Sequence, residues 1–297
     1  MKKLTMVLVS LVILSTMAFS EGAGTTGAPF LKIPVGAKAG ALGDAIVAAP
    51  LGAESIFWNI GALAFQEGLS FNASYQDWLA DISTQYVGLS FTQGDLGTIG
   101  LGFVNLGMGE MDETTITDPD GTGETFSASD MALTLAYAKR FGEQIGFGLG
   151  LKYITQKIAE DSATAFTADI GMKFKLNDQM SIGLAAQNLF GEIGFTEKFP
   201  LPMILRGGVI FAATEALNVL AEIDYHADTG MKYSAGAEYV IKDMIAVRLG
   251  YKGGYSVDGI TAGLGVKFSM INVDFSYGLV SEEALNNIMK FSLGLHF

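Results

Sequence analysis

Ile99, Leu101 and Phe103 occupy every second position of a short stretch, with Gly100 and Gly102 between them. The same period recurs at Met131, Leu133, Leu135 and Tyr137, which alternate with Ala132, Thr134 and Ala136. In IGFGLGLKY, at 145–153, three glycines alternate with large apolar residues. Near the end, Ile260, Ala262, Leu264, Val266 and Phe268 share one face, and Met289, Phe291, Leu293, Leu295 and Phe297 another. Successive strand residues point to opposite faces, so a period of two predicts strands rather than helices. Segments of this kind begin near Ser70, Gln85, Thr98, Asp130, Gln144, Ala163, Met180, Met203, Leu217, Met231, Met244, Gly259, Asn272 and Met289. Each is close to the roughly 9 to 11 residues that cross a bilayer at a tilt, and the even count suits a bacterial outer-membrane barrel.

The connections sort by parity. The even ones are short: QGDLG, GE, LNDQ, TEA, IKD and SMI. The odd ones are generally longer: LADIST, the stretch 107–129, FGEIGFTEKFPLP and VSEEALNN. Barrels of the outer membrane have short periplasmic turns and long external loops. This order puts both ends of the barrel on the periplasmic side. Pro29, Pro34, Pro50, Pro119, Pro200 and Pro202 all fall outside the predicted strands, where a residue without an N–H belongs. Phe297 ends the last strand, and a terminal aromatic there is expected to be read by the outer-membrane assembly machinery.

The stretch 21–69 does not alternate. It is rich in small residues and carries two apolar pieces, 41–49 and 54–65, that predict short helices broken at Pro50 and Gly52. A segment of this kind before a barrel fits the lumen, where small residues allow close packing. The predicted organisation is a signal peptide at 1–20, a luminal plug at 21–69 and an all-β transmembrane barrel at 70–297.

Composition agrees. The chain is 49% hydrophobic and 16% charged, against roughly 25% charged in an ordinary soluble protein. Lys2 and Lys3, then LTMVLVSLVIL, then Ala18-Phe19-Ser20 read as a secretory signal. No later apolar run is long enough for a spanning helix. In lipid only helices and closed barrels satisfy their backbone hydrogen bonds. Export to the cell outer membrane and contact with its lipid follow as expectations. The absence of cysteine removes disulfides and thiolate metal sites, and the net charge of -13 argues against nucleic acid as a partner. Nothing calls for a cofactor.

The run GAKAGALGDAIVAAPLGAESIFWNIGALA resembles the N-terminal signature of the PorV/PorQ-type outer-membrane proteins, relatives of the FadL-like long-chain fatty acid transporters. That signature is a Gly/Ala-rich run, then an aromatic residue and Asn-Pro-Ala-Gly-Leu. Here Trp58, Asn59 and Leu63 match, Ile60 replaces the proline, and Gly61-Ala62 reverses the Ala-Gly pair. The resemblance implies a plugged barrel that passes hydrophobic small molecules, or one that serves a secretion system and docks secreted proteins.

Candidate site residues follow. Phe57, Trp58, Asn59, Leu63 and Phe65 of the plug, with Gly146, Gly148 and Gly150 of the wall, are the candidates for ligand contact or plug packing. The glycines are expected to face the lumen as a bare strip, and the large residues between them the lipid. Trp78, Tyr137, Phe141, Tyr153, Tyr239, Tyr251 and Tyr277 are candidates for an interfacial aromatic belt. Asp118, Asp120, Thr122 and Glu124 resemble the first half of a calcium loop, but Ser129 stands where the closing glutamate belongs. The loop then reads by default as solvated and acidic. His226, between Asp224 and Asp228, reads as a solvated residue at the barrel rim, with a hydrolytic role the distant alternative, and His296 as luminal filler or a periplasmic rim residue. No enzyme is expected.

Overall fold

The computed structural model describes residues 22–77, 82–255, 259–279 and 287–297. The export signal read at 1–20 and Trp78 of the expected belt lie outside the described residues. The alternation resolves into fourteen antiparallel strands that close into one barrel. They are β1 (Leu69–Asp77), β2 (Ser83–Thr92), β3 (Thr98–Gly107), β4 (Ala128–Phe141), β5 (Ile145–Ile158), β6 (Asp161–Lys175) and β7 (Met180–Gln187). The second half is β8 (Ile204–Ala212), β9 (Leu217–His226), β10 (Gly230–Ile241), β11 (Ile245–Gly253), β12 (Gly259–Phe268), β13 (Ile271–Gly278) and β14 (Ile288–His296). Every strand starts within two residues of its expected position.

Consecutive strands pair, and β1 pairs with β14 in a register running from Ser70 opposite His296 to Asp77 opposite Met289. Beyond the ladder, Leu69 N–H donates to the Phe297 carbonyl at 3.1 Å, and Phe297 N–H donates back at 2.9 Å. The last residue thus helps seal the seam, and the first and last strands leave no free edge between them. The two faces of the wall follow from the pleat. On β5, Leu149, Leu151 and Tyr153 point outward and are exposed, whereas Gly146, Gly148 and Gly150 are covered from within. Tyr137, Phe141, Tyr153, Tyr239 and Tyr251 are exposed on the outer surface, and Tyr277 is half-buried. An apolar shell of this extent far exceeds the patches a monomeric soluble protein leaves in water. It suits lipid.

Inside runs the plug. It contains a 3-10 turn at Pro29–Lys32, helix α1 (Ala37–Ala41), a 3-10 turn at Gly52–Glu54, helix α2 (Ser55–Trp58) and a 3-10 helix at Ile60–Phe65. The helix expected over 41–49 is absent. Gly43 and Asp44 both adopt left-handed backbone, at φ 68° and 67°, which stops α1 and turns the chain. The piece expected over 54–65 is helical but divided at Asn59, whose extended backbone breaks the run.

Plug backbone groups that helices would have satisfied are served by the wall. Ala37 N–H donates to Ser292 Oγ at 2.7 Å and Gly43 N–H to Thr261 Oγ1 at 3.1 Å. Ile46 and Val47 N–H both donate to Glu222 Oε2, at 2.6 and 2.7 Å. Tyr86 and Thr98 hydroxyls donate to the Ala53 and Leu63 carbonyls.

Candidate functional site: a luminal cavity above the plug

The end of the barrel carrying the longer connections is here called outer, and the end holding Gly68 and Phe297 inner. Between the outer loops and the plug lies a cavity of about 390 Å3. One side is apolar: Phe30 and Ile33 before α1, Leu106 of β3, Met108 beyond it, and Ile82 before β2. The other side is polar: His226 ends β9, Lys232 starts β10, and Lys252 and Tyr255 lie at the end of β11. Lys32, Asp44 and Trp58 of the plug, Arg206 of β8 and Asp130 of β4, opposite Leu106, also line it.

The polar side is charge-compensated. Arg206 donates to Asp224 at 2.7 Å, to Glu222 at 3.3 Å and to Gln187 at 2.9 Å, and its guanidinium lies 4.8 Å from the centre of the Trp58 ring. Lys252 pairs with Asp44 at 3.1 Å, Lys32 pairs with Asp228, and Lys232 donates to the Thr229 and Gly254 carbonyls. Burial alone would raise the Asp44 carboxyl, but Lys252 and Lys290 outweigh it and hold the group down at about 2. Lys32 and Thr26 likewise hold Asp228 below the usual carboxylate range against the upward push of burial.

His226 departs from its expected setting. It ends β9 as predicted, but it is buried rather than solvated, as are Asp224 and Asp228. The plug and the outer connections cover this rim. Its ring meets Tyr255 edge-on at 6.0 Å, and its Nε2 has no hydrogen-bond partner.

The residues singled out in the sequence converge on the plug–wall contact. Trp58 is buried, donates from Nε1 to the Val35 carbonyl at 3.3 Å, and meets Phe57 edge-on at 5.2 Å. Asn59 ties three segments together. Its amide donates to the Val47 carbonyl at 2.7 Å and to Met172 of β6 at 3.0 Å, and its oxygen accepts Gly61 N–H at 3.0 Å. Leu63 is fully buried, and Phe65 lies beneath the Lys173 ammonium at 5.4 Å. Gly146 and Gly148 lie against the 60–65 backbone and the Phe65 ring, and Gly150 against the Ile60 side chain. A Cβ on Gly148 would sit 2.5 Å from the Ile60 carbonyl carbon. Of the eight plug and wall candidates, Trp58 alone lines the outer cavity.

Asp118, Asp120, Thr122 and Glu124 are exposed, and Asp118 accepts from Thr117 at 3.1 Å. Among the described residues, no three His, Cys, Asp or Glu side chains are grouped to hold a metal ion.

Among the described residues, the wall has one weak stretch. β6 and β7 pair only from Ile170 opposite Ala186 to Lys175 opposite Ser181. β7 stops at Asn188, which takes left-handed backbone at φ 54°. The outer half of β6 is then met by a loop instead of a strand. A buried polar cluster fixes this break: Lys152 pairs with Asp169 at 2.8 Å and donates to Asn188 Oδ1 at 2.8 Å, while Asn188 N–H donates to Asp169 at 2.8 Å.

At the inner end, a second cavity of about 320 Å3 is lined by Lys38, Glu54, Lys267, Asp274 and His296. Half-buried, His296 lies against the plug at Gly52, and so is luminal. Burial, then the charge of Asp274, pushes the Glu54 carboxyl up to about 8 against the pull of Lys290 and Lys38. Its Oε1 has no hydrogen-bond partner.

Arg206, Lys252, Asp44, Lys152, Asp169 and Asn188 were not singled out in the sequence. Their signal was there in part: once the strands are placed, Arg206 and Asp224 fall directly opposite on neighbouring inward rows.

No protein-family model and no curated protein matches the sequence. Solved structures do match the fold. The toluene transporter TbuX of Ralstonia pickettii aligns with a TM-score of 0.66 at 12% identity, over 89% of this chain and 98% of that one. The toluene transporter TodX of Pseudomonas putida gives 0.62 at 12% identity, over 93% and 98%. A FadL homologue of Pseudomonas aeruginosa gives 0.61 at 11% identity, over 89% and 99%. Together, the closed antiparallel wall and these alignments give the chain the fold of the FadL-like outer-membrane barrels.

Proposed function

We propose that this protein is an outer-membrane channel or carrier for hydrophobic small molecules, held shut by its plug. The outer cavity carries the reading. It is concave, mostly apolar on one side, and within the roughly 300–1,000 Å3 of small-molecule sites. The structural neighbours TbuX and TodX are toluene transporters, which is in keeping with this. Molecules enter at Ile33, Leu106 and Met108. They leave when the plug shifts, or sideways where β7 stops at Asn188. Export by the N-terminal signal, assembly through Phe297 and membership of the PorV/PorQ-type group complete the reading. The last rests on Trp58, Asn59 and Leu63.

Native mass spectrometry of the barrel purified in mild detergent tests it. Bound apolar molecules of low mass are the expected result. A co-purifying secreted protein, with no such molecule and no uptake of added toluene, would overturn it in favour of docking.

A further inference from the structure

The polar side of the outer cavity narrows the chemistry of what it takes. Every cation lining it already has a partner. Arg206 is bonded to Asp224, Glu222 and Gln187, Lys252 to Asp44, Lys32 to Asp228, and Lys232 to two carbonyls. An incoming carboxylate would have to displace one of these anions. An incoming ammonium would meet four cations, and the two lining carboxylates, Asp44 and Asp130, are already engaged by Lys252 and Gln156. Neither gains much. Two lining residues leave a buried polar atom without a hydrogen-bond partner, Asp44 Oδ1 and His226 Nε2. Asp44 is already ion-paired with Lys252 and Lys290, whereas the His226 ring, 4% exposed, is in no ion pair among the described residues. An unmade hydrogen bond in a buried site costs free energy that a ligand can recover. A hydroxyl both donates and accepts, so it suits the imidazole in either tautomer. The facing wall of Phe30, Ile33, Leu106 and Met108 suits apolar substance, and its one charged residue, Asp130, already accepts from Gln156 at 3.0 Å.

We propose that the outer cavity selects a neutral, mostly apolar molecule bearing one hydroxyl, which hydrogen-bonds to His226, in preference to a carboxylate or a bare hydrocarbon. This rests on the hydrophobic-ligand reading above and adds the polar group to it. Tyr255, edge-on to the ring and donating to Asp224 at 3.1 Å, holds the imidazole in place.

The test uses the full-length barrel in detergent and three probes of matched shape: 4-ethylphenol, ethylbenzene and 4-ethylbenzoate. Calorimetry measures their dissociation constants on wild type, His226→Phe and His226→Gln, each first shown to keep the compact band on an unboiled gel. The expected order on wild type is 4-ethylphenol at least tenfold tighter than ethylbenzene, with 4-ethylbenzoate weakest. His226→Phe should bring 4-ethylphenol to the level of ethylbenzene, and His226→Gln should keep much of the preference. Tightest binding of 4-ethylbenzoate, or no preference for 4-ethylphenol on wild type, overturns this inference while leaving the parent reading intact. A preference that persists in His226→Phe overturns the role of the imidazole. Failure of all three probes on wild type removes the parent reading and this one with it.

Discussion

The Arg206 guanidinium lies over the indole of Trp58, 4.8 Å from its centre. This contact joins the barrel wall to the plug at the lining of the outer cavity. Arg206 is buried, and its fork also answers Asp224 and Glu222. Glu222 in turn accepts the Ile46 and Val47 N–H groups of the plug. One guanidinium thus anchors two carboxylates, one of which holds plug backbone.

Arg206→Ala should therefore be severe. It leaves buried carboxylates without their countercharge, a defect of about 3–5 kcal/mol. Arg206→Lys keeps the charge but loses the planar fork and the stacking, and should fall between. Urea unfolding of the detergent-solubilised barrel reads the order. Equal midpoints for all three proteins would show that the cluster contributes nothing.

Gly148→Leu should disturb the plug and spare the wall. A side chain there meets Ile60, while the outward row of β5 is untouched. The variant should reach the membrane and shift on heating like wild type, yet expose the 55–65 region to protease. Wild-type protection of that region, with unchanged ligand uptake, would deny the glycine strip a role.

Glu54 predicts a pH dependence with a definite sign. Its folded-state value, about 8, lies above the ordinary 4.5. The stabilisation from the neutral carboxyl is full below about 4.5 and is lost as pH rises through about 8. Relative to Glu54→Gln, wild type should weaken across that window by up to about 1.4 kcal/mol per pH unit. The Asp44 carboxyl, held at about 2, loses its contribution only as pH falls through that value, so the two windows separate. Urea midpoints of the pair at pH 5 and pH 8 check this. A constant difference would contradict it.

The wall was legible because lipid outside and plug inside impose a strict period of two. Even the luminal glycines of β5 were readable, since a small residue at each inward position has little other use. The polar lumen was not. Arg206, Glu222 and Asp224 look like ordinary alternating polar residues until register sets them side by side. His226 misled for a related reason: a residue at a strand end reads as rim, and only the covering chain buries it. The stop at Asn188 was hidden because a loop replaces the missing ladder, which leaves no gap in the hydrophobic pattern. The path of the plug was hardest, because its turns depend on hydroxyls and carboxylates supplied by strands more than a hundred residues away.

The Asn188 break yields its own expectation. Asn188→Ala removes the acceptor for Lys152 and the donor to the Pro202 carbonyl. It should cost about 1–3 kcal/mol, as for other buried polar groups left unpaired. If lateral passage occurs at this site, uptake of toluene into vesicles carrying the variant should also rise. Unchanged uptake together with lowered stability would confine the cluster to a structural role.

The central claim is that an apolar molecule rests in the outer cavity. A crystal structure of the barrel soaked with bromobenzene tests it most directly, because bromine marks its own position by anomalous scattering. The expected peak lies between Phe30, Ile33 and Leu106 on one side and His226 on the other. Peaks confined to the outer apolar belt, with the cavity free of bromine, would contradict the account.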